Sequence, residues 1–354
     1  MGKRIRMPLF IVMLAVMIAA AGCSGGNKET QSATETLTPK AETYFIFDTI
    51  VTLRVYDDKM TKTHFDEVKA LLQEIDGQMN RQQENSEIGQ VNKNAGVAPV
   101  NVSPQTMKVV KRALYYASIS DAMFDPSIGP IVDLWGVGSD HAAVPSQEAI
   151  NERKALVNYK DITIDEANST IKLEKPGMII DLGAIAKGYA ADVMAAYLKE
   201  KGFKSAIIDL GGNVLAMGAK PGGGDWRIGI QTPEEARGNH LGVLPVKDKT
   251  IVTSGVYERY FEENGKMYHH LMDGRTGYPV DKDLLSVTVV TDVSMNADAL
   301  STAAFAYGVE KGMQFIEEQE NAEAIFVTTE HDVYLTSGLK GVFQLTSDQF
   351  HLAN

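Results

Sequence analysis

The sequence predicts an α+β fold of mixed, largely antiparallel sheets with packed helices. Short β-branched and aromatic runs follow one another across Gly-rich turns, as hairpins do. Apolar residues at helical spacing mark several helices between them. Strand and helix do not alternate regularly, which argues against a wound parallel sheet. The 354 residues suffice for one large domain or two ordinary ones, and 44% hydrophobic with 23% charged residues is a globular composition. The net charge of −12 argues against a nucleic-acid partner, which needs a basic face for phosphates.

Residues 1–22 read as a signal peptide. Lys3, Arg4 and Arg6 precede an apolar run over 8–21 that is short for a membrane span. The run ends AAAGCSGG, and Cys23 is the only cysteine, so no internal disulfide forms. A lone cysteine after small residues resembles a bacterial lipobox, although Ala20 stands where leucine is usual. That resemblance implies cleavage before Cys23, lipid on its sulfur, and a membrane-anchored protein on the extracytoplasmic side. Residues 23–43 are polar and small, a flexible tether. A catalytic domain is expected over 44–354.

Residues 45–56, FIFDTIVTLRVY, form a strand on composition. Over 62–79, Phe65, Val68, Leu71, Leu72, Ile75 and Met79 keep helical spacing. Residues 80–103 are polar and loop-like. Ser103 and Pro104 start a helix that runs to about 120. Residues 121–138, DAMFDPSIGPIVDLWGVG, are rich in Gly and Pro yet apolar, so they are expected to be an irregular wall of a binding site. A helix over 145–158 and a hairpin of 162–164 with 170–173 follow. Residues 179–192, IIDLGAIAKGYAAD, read as strand, corner and helix, the helix running to 201. Strands follow at 205–209, 214–219, 226–231, 243–246, 250–253 and 257–262, with Asn264–Gly265 as a hairpin turn. Then come strand 286–291, helices 297–307 and 310–319, and strands at 324–328, 333–336 and 343–345. IIDLGA at 179–184 recurs as IIDLGG at 207–212, either as the mark of two related halves or as a chance echo.

Three stretches carry chemistry. In DLGAIAKG, Gly183 and Ala184 make a narrow corner before a helix start. Lys187 in that first turn opposes the helix dipole unless an anion sits nearby, so it marks an anion site or is simply an exposed lysine. Asp181, at the end of an apolar run, needs a cation or donors if it is buried. In NADALSTAAFAYG, Asp298 and Thr302 share one helix face among small apolar residues. A carboxylate and a hydroxyl so placed suit Mg²⁺, which takes few protein oxygens and fills its shell with phosphate and water; a local cap with a back-bonded threonine is the other reading. In YHHLMDGRTGYPVD, adjacent His269 and His270 point opposite ways if extended, so one of them can act as a base. Together these describe a phosphate-bearing ligand beside an aromatic wall, as a dinucleotide with a flat ring would require.

DLGAIAKGYAAD, TSGVYERYF, HHLMDGRTGYPV, NADALSTAAFAYG and FDPSIGPIVDLWGVG, in this order, resemble the ApbE family of FAD:protein FMN transferases over nearly all of 44–340. The resemblance implies an ApbE-like, T-fold-like catalytic domain. It implies transfer of FMN from FAD to a Thr or Ser hydroxyl of another protein, through a phosphoester, with release of AMP. Asp298, Thr302 and the carbonyl of Ala184 would bind Mg²⁺. FAD would be met by Phe47, Met123, Phe124, Asp125, Asp181, Lys187 and Met272. Gln82 stands where the family usually has a tyrosine, and Gly274 replaces the proline of its Asp-Pro-x-Thr-Gly. His270, then Asp273, are candidates for the base, with Lys187 neutralising charge. Acceptors implied by the family are redox-pump subunits and secreted reductases. With water in place of the acceptor, the same groups would make an FAD pyrophosphatase; without turnover, a flavin-binding lipoprotein.

Overall fold

The structure is a computed structural model that describes residues 38–235 and 238–354. The signal peptide, Cys23 and most of the expected tether lie outside the described residues. No helix among the described residues is long and apolar enough to cross a membrane.

A nine-stranded sheet organises the domain. Its spatial order is Lys40–Ile46, Thr49–Val55, Ala206–Leu210, Asn213–Met217, Lys249–Gly255, Leu284–Thr291, Glu323–Thr328, Asp332–Leu335 and His351–Leu352. Every neighbouring pair is antiparallel except the last, Asp332–Leu335 with His351–Leu352. The expected mixed, largely antiparallel α+β architecture is therefore present.

Eight α-helices lie among the described residues: α1 (Lys62–Met79), α2 (Glu87–Lys93), α3 (Pro104–Ile119), α4 (Gly129–Trp135), α5 (Gln147–Lys154), α6 (Ala186–Glu200), α7 (Ser294–Tyr307) and α8 (Val309–Glu317). The sheet is covered on both faces. Val252, Val287, Val289 and Phe326 join the main core with the helices. Their sequence neighbours Ile251, Val290, Ile325 and Val327 point the other way, into a second core with Trp226, Leu241 and Leu244 of a small three-stranded sheet. With both faces covered, the central strand Leu284–Thr291 is buried along nearly its whole length rather than at alternate residues. A third, smaller core gathers Ile131, Trp135 and Ile150.

Several local expectations change. The strand ladder begins at Lys40, inside the expected tether, because Lys40–Thr43 pair with Thr52–Val55. This end of the edge strand is largely exposed, so it carries no hydrophobic signal. The polar 80–103 segment holds α2, capped by Ser86, whose hydroxyl accepts from Gly89 N at 2.8 Å. Inside the irregular 121–138 wall, α4 buries Trp135 completely. Residues 178–182 form no strand; they make one parallel bridge, Ile179 to Ile128. The repeat of IIDLG is therefore not a repeat of structure, since 207–210 lie within a strand paired on both sides.

Candidate active site

The corner at 180–187 is built from outside. Asn92 of α2 grips the backbone of Ile180 in both directions: its Oδ1 accepts from Ile180 N at 2.7 Å, and its Nδ2 donates to Ile180 O at 3.0 Å. Asp181 N donates to Pro126 O at 2.8 Å. The Asp181 side chain then shapes the turn, Oδ1 accepting from Gly183 N at 2.7 Å. Its other oxygen meets the cation that a largely buried carboxylate requires, Arg81, with Nε to Oδ2 at 2.7 Å. Arg81 also reaches Asp133 of α4, Nη1 to Oδ1 at 2.7 Å. Burial lowers the guanidinium pKa, but Asp181 and Asp133 together hold it above its ordinary value.

Past the corner, α6 begins at Ala186 with no side-chain cap from Ile185. A carboxylate of another helix supplies one instead: Asp298 of α7, 4% exposed, takes Gly188 N on Oδ2 at 3.0 Å. An anion at a helix start is favoured by the free N–H groups and the dipole. Lys187 lies against the same carboxylate, Nζ to Oδ1 at 3.7 Å, and donates to Gly183 O at 2.8 Å. The anion that explains a lysine in this turn is thus present within the chain. In return, Asp192 of α6 caps α7, accepting from Ser294 N at 2.8 Å and Met295 N at 2.9 Å. Burial pushes the Asp192 carboxyl up, against the pull of those two bonds. The helices touch backbone to backbone here, for a Cβ on Gly188 would fall 2.2 Å from Ser294 O.

Asp298 and Thr302 lie one turn apart on α7. Thr302 back-bonds weakly to Asp298 O at 3.3 Å, which leaves its oxygen lone pairs for a cation. No group of three His, Cys, Asp or Glu side chains able to hold a metal occurs among the described residues. A cation here would rest on one carboxylate, one hydroxyl and corner carbonyls. That donor set fits Mg²⁺, which keeps open positions for phosphate and water, and not zinc, which wants nitrogen or sulfur.

The two histidines differ as their opposite facing predicts. His269 is buried; its Nδ1 accepts from Leu271 N and its Nε2 lies 3.1 Å from Val280 O, so both nitrogens are used. His270 lies with Nδ1 3.2 Å from Arg259 O, which assigns the proton to Nδ1 and leaves Nε2 as an acceptor. Close surrounding protein lowers its pKa to about 4, with the charges of Arg259 and Lys187 acting in the same direction. Asp273 is engaged elsewhere: Arg275 grips both its oxygens, at 3.0 and 2.9 Å, and Arg275 N adds a bond of 2.9 Å. Its carboxyl is held below the usual range by those contacts, despite burial.

Phe47, Met123 and Ala184 pack, partly buried, on the rim of the main core. Phe47 is the first residue of a two-residue turn, at φ 55°. Phe124 is buried within that core. Asp125 spends its carboxylate on Ser127 N, Ser127 Oγ and Tyr159 N, at 2.8, 2.6 and 3.2 Å, so this loop offers a ligand mainly its backbone. Burial raises the Asp125 carboxyl against those bonds. Met272 packs, partly buried, against the third core. Gln82 is exposed, next in sequence to Arg81. Sequence reasoning missed Arg81, Asn92, Asp133, Gly188 and Asp192. Asp133, Gly188 and Asp192 stand in stretches quoted above without a signal of their own, and Arg81 and Asn92 sit in a polar segment with no pattern.

Residues 47–326 match the model of the ApbE family. An FAD:protein FMN transferase of Klebsiella pneumoniae is 40% identical over 252 residues, covering 71% of this chain and 78% of that protein. One from Treponema pallidum is 33% identical over 345 residues, covering 93% of each. Among solved structures, the flavin transferase ApbE from Vibrio cholerae superposes with a TM-score of 0.76 at 28% identity, over 86% of this chain and 99% of that one. The ApbE protein from Thermotoga maritima gives a TM-score of 0.79 at 29% identity, with the same coverage.

Proposed function

The chain belongs to the ApbE family, and from that premise we propose that its site moves FMN from FAD onto a hydroxyl of an acceptor protein. It is an enzyme of the FAD:protein FMN transferase kind. The observation that carries the reading is the meeting of Lys187, the Asp298 carboxylate and the corner carbonyl of Gly183 at one helix start.

The acceptor is a Thr or Ser hydroxyl, and the product a phosphoester. The hydroxyl oxygen attacks the phosphorus on the FMN side of the pyrophosphate, the bond to the AMP side breaks, and AMP leaves. The hydroxyl proton passes to Nε2 of His270. A neutral imidazole whose pKa stays near 4 keeps its lone pair free at neutral pH. Asp273 is the weaker candidate, since Arg275 occupies both its oxygens. The Lys187 ammonium offsets charge on the phosphates, and the N–H groups at the start of α6 add to it. Asp298, Thr302 and the Ala184 carbonyl would hold Mg²⁺, which supplies neutralisation of the pyrophosphate and its leaving oxygen. Phe47, Met123 and the 123–125 loop border the flavin nucleotide.

The chain is also read as a lipoprotein, anchored through Cys23 to the outer side of a membrane, where redox-pump subunits or secreted reductases are its acceptors. Support lies in the sequence of residues 1–23. Cys23→Ser should move the protein from the membrane fraction to the soluble one.

The transfer is tested by incubating the chain from Asn27 onward with FAD and Mg²⁺, with and without acceptor, and weighing the acceptor. AMP that requires acceptor, with a mass gain of one FMN, supports the transferase. Equal AMP without acceptor and no mass gain means a pyrophosphatase. Gln82, polar and exposed where the family usually has tyrosine, is the feature that favours this second outcome.

A further inference from the structure

Arg81 lies in the turn after α1, in NRQQENSE, where the sequence shows no periodicity. Its side chain is only 15% exposed, and one guanidinium joins three segments distant in sequence. Nε holds Asp181 of the corner and Nη1 holds Asp133 of α4, each at 2.7 Å. Asn92 and Pro126 secure the backbone of Ile180 and Asp181. Among the described residues, the Asp181 carboxylate itself has two partners: Arg81 and the Gly183 N–H that it turns. Arg81 thus holds, through Asp181, the N–H side of Gly183, the residue on whose carbonyl Lys187 rests.

We propose that Arg81 is a positioning residue of the FAD site, holding Asp181 so that the 181–187 corner keeps the form that receives the nucleotide. This rests on the flavin-transfer reading above. A planar fork can serve two carboxylates at once, whereas a lysine puts a methylene where Nε stands and does not reproduce the Nε–H bond to Asp181. A bare stability staple would act through Asp133 and α4 and leave FAD affinity alone.

The test compares the full chain with Arg81→Lys, Arg81→Gln, Asp181→Asn and the double variant Arg81→Gln/Asp181→Asn. FAD affinity is read by flavin fluorescence, the KM values for FAD and for acceptor by transfer kinetics, and folding by thermal denaturation. Loss of a charged hydrogen bond at the corner should weaken FAD binding about tenfold in both Arg81 variants. The KM for acceptor should stay within about twofold, and in the Asp181→Asn background the Arg81→Gln change should add less than about twofold. If Arg81→Gln does not fold, Arg81→Lys, which keeps the charge, decides. Parental FAD affinity in Arg81→Lys, or independent effects of Arg81→Gln and Asp181→Asn, would overturn the positioning role alone. A parent chain that neither binds FAD nor transfers FMN would overturn the functional reading, and this proposal with it.

Discussion

Asp192 and Asp298 stand on neighbouring helices, and each caps the start of the other's helix. Asp192 of α6 takes the first two N–H groups of α7, and Asp298 of α7 takes Gly188 N of α6. The carboxylate best placed for a cation is therefore locked in position by the helix it helps to start.

Asp192→Ala should destabilise the domain by about 1–2 kcal/mol, the usual worth of an N-cap. It should also weaken Mn²⁺ binding, since the start of α7 carries Asp298. Urea unfolding and Mn²⁺ electron paramagnetic resonance read the two effects. An unchanged midpoint with unchanged binding would dismiss reciprocal capping as an energetic feature.

Gly188→Ala puts a Cβ 2.2 Å from a backbone oxygen, Ser294 O, which no flexible side chain can relieve. Separation of α6 from α7 should cost about 1–3 kcal/mol. Calorimetry would show a lowered melting temperature, and a variant as stable as the parent would mean that the contact is looser than described.

Lys187→Met should act in opposite directions on two ligands. Its ammonium competes for the Asp298 carboxylate, so its loss should tighten Mn²⁺ roughly threefold through removal of a like charge. FAD affinity should fall about tenfold as a charged phosphate contact disappears. Both constants come from titration without turnover. A parallel fall in both would show that the lysine supports the metal site instead of opposing it.

The pH profile follows from His270. Its pKa is about 4 in the fold against an ordinary 6.5, so the unfolded chain takes the proton first as the solution is acidified. The stability it contributes is complete above about 6.5 and is lost as pH falls toward about 4. For catalysis, the acid limb of kcat/KM should lie near 4. A limb near 6.5 that vanishes in His270→Gln would show that the imidazole is solvated like a free one.

Much of the site was legible because its chemistry depends on local spacing. Asp298 and Thr302 four apart, Lys187 just past a small-residue corner, and two histidines on opposite sides of an extended segment need only the helical and extended periods to interpret. Asp181 announced its need for a cation through its apolar neighbours, but the identity of that cation, Arg81, lies a hundred residues earlier in a segment without pattern. The same limit hid Asn92, whose helix α2 is seven residues long.

By itself, the sequence determined the elements whose apolar periods are long, the antiparallel α+β class, and the ordered motifs that place the chain in its family. Tertiary structure alone decided what each extended stretch pairs with. IIDLG at 207–211 enters a ladder, while IIDLG at 179–183 is held by an asparagine, a carbonyl and an arginine. An apolar extended pattern states which backbone is buried, and a buried backbone must satisfy its polar groups. Which partner satisfies them, another strand or a distant side chain, depends on what the rest of the fold brings alongside.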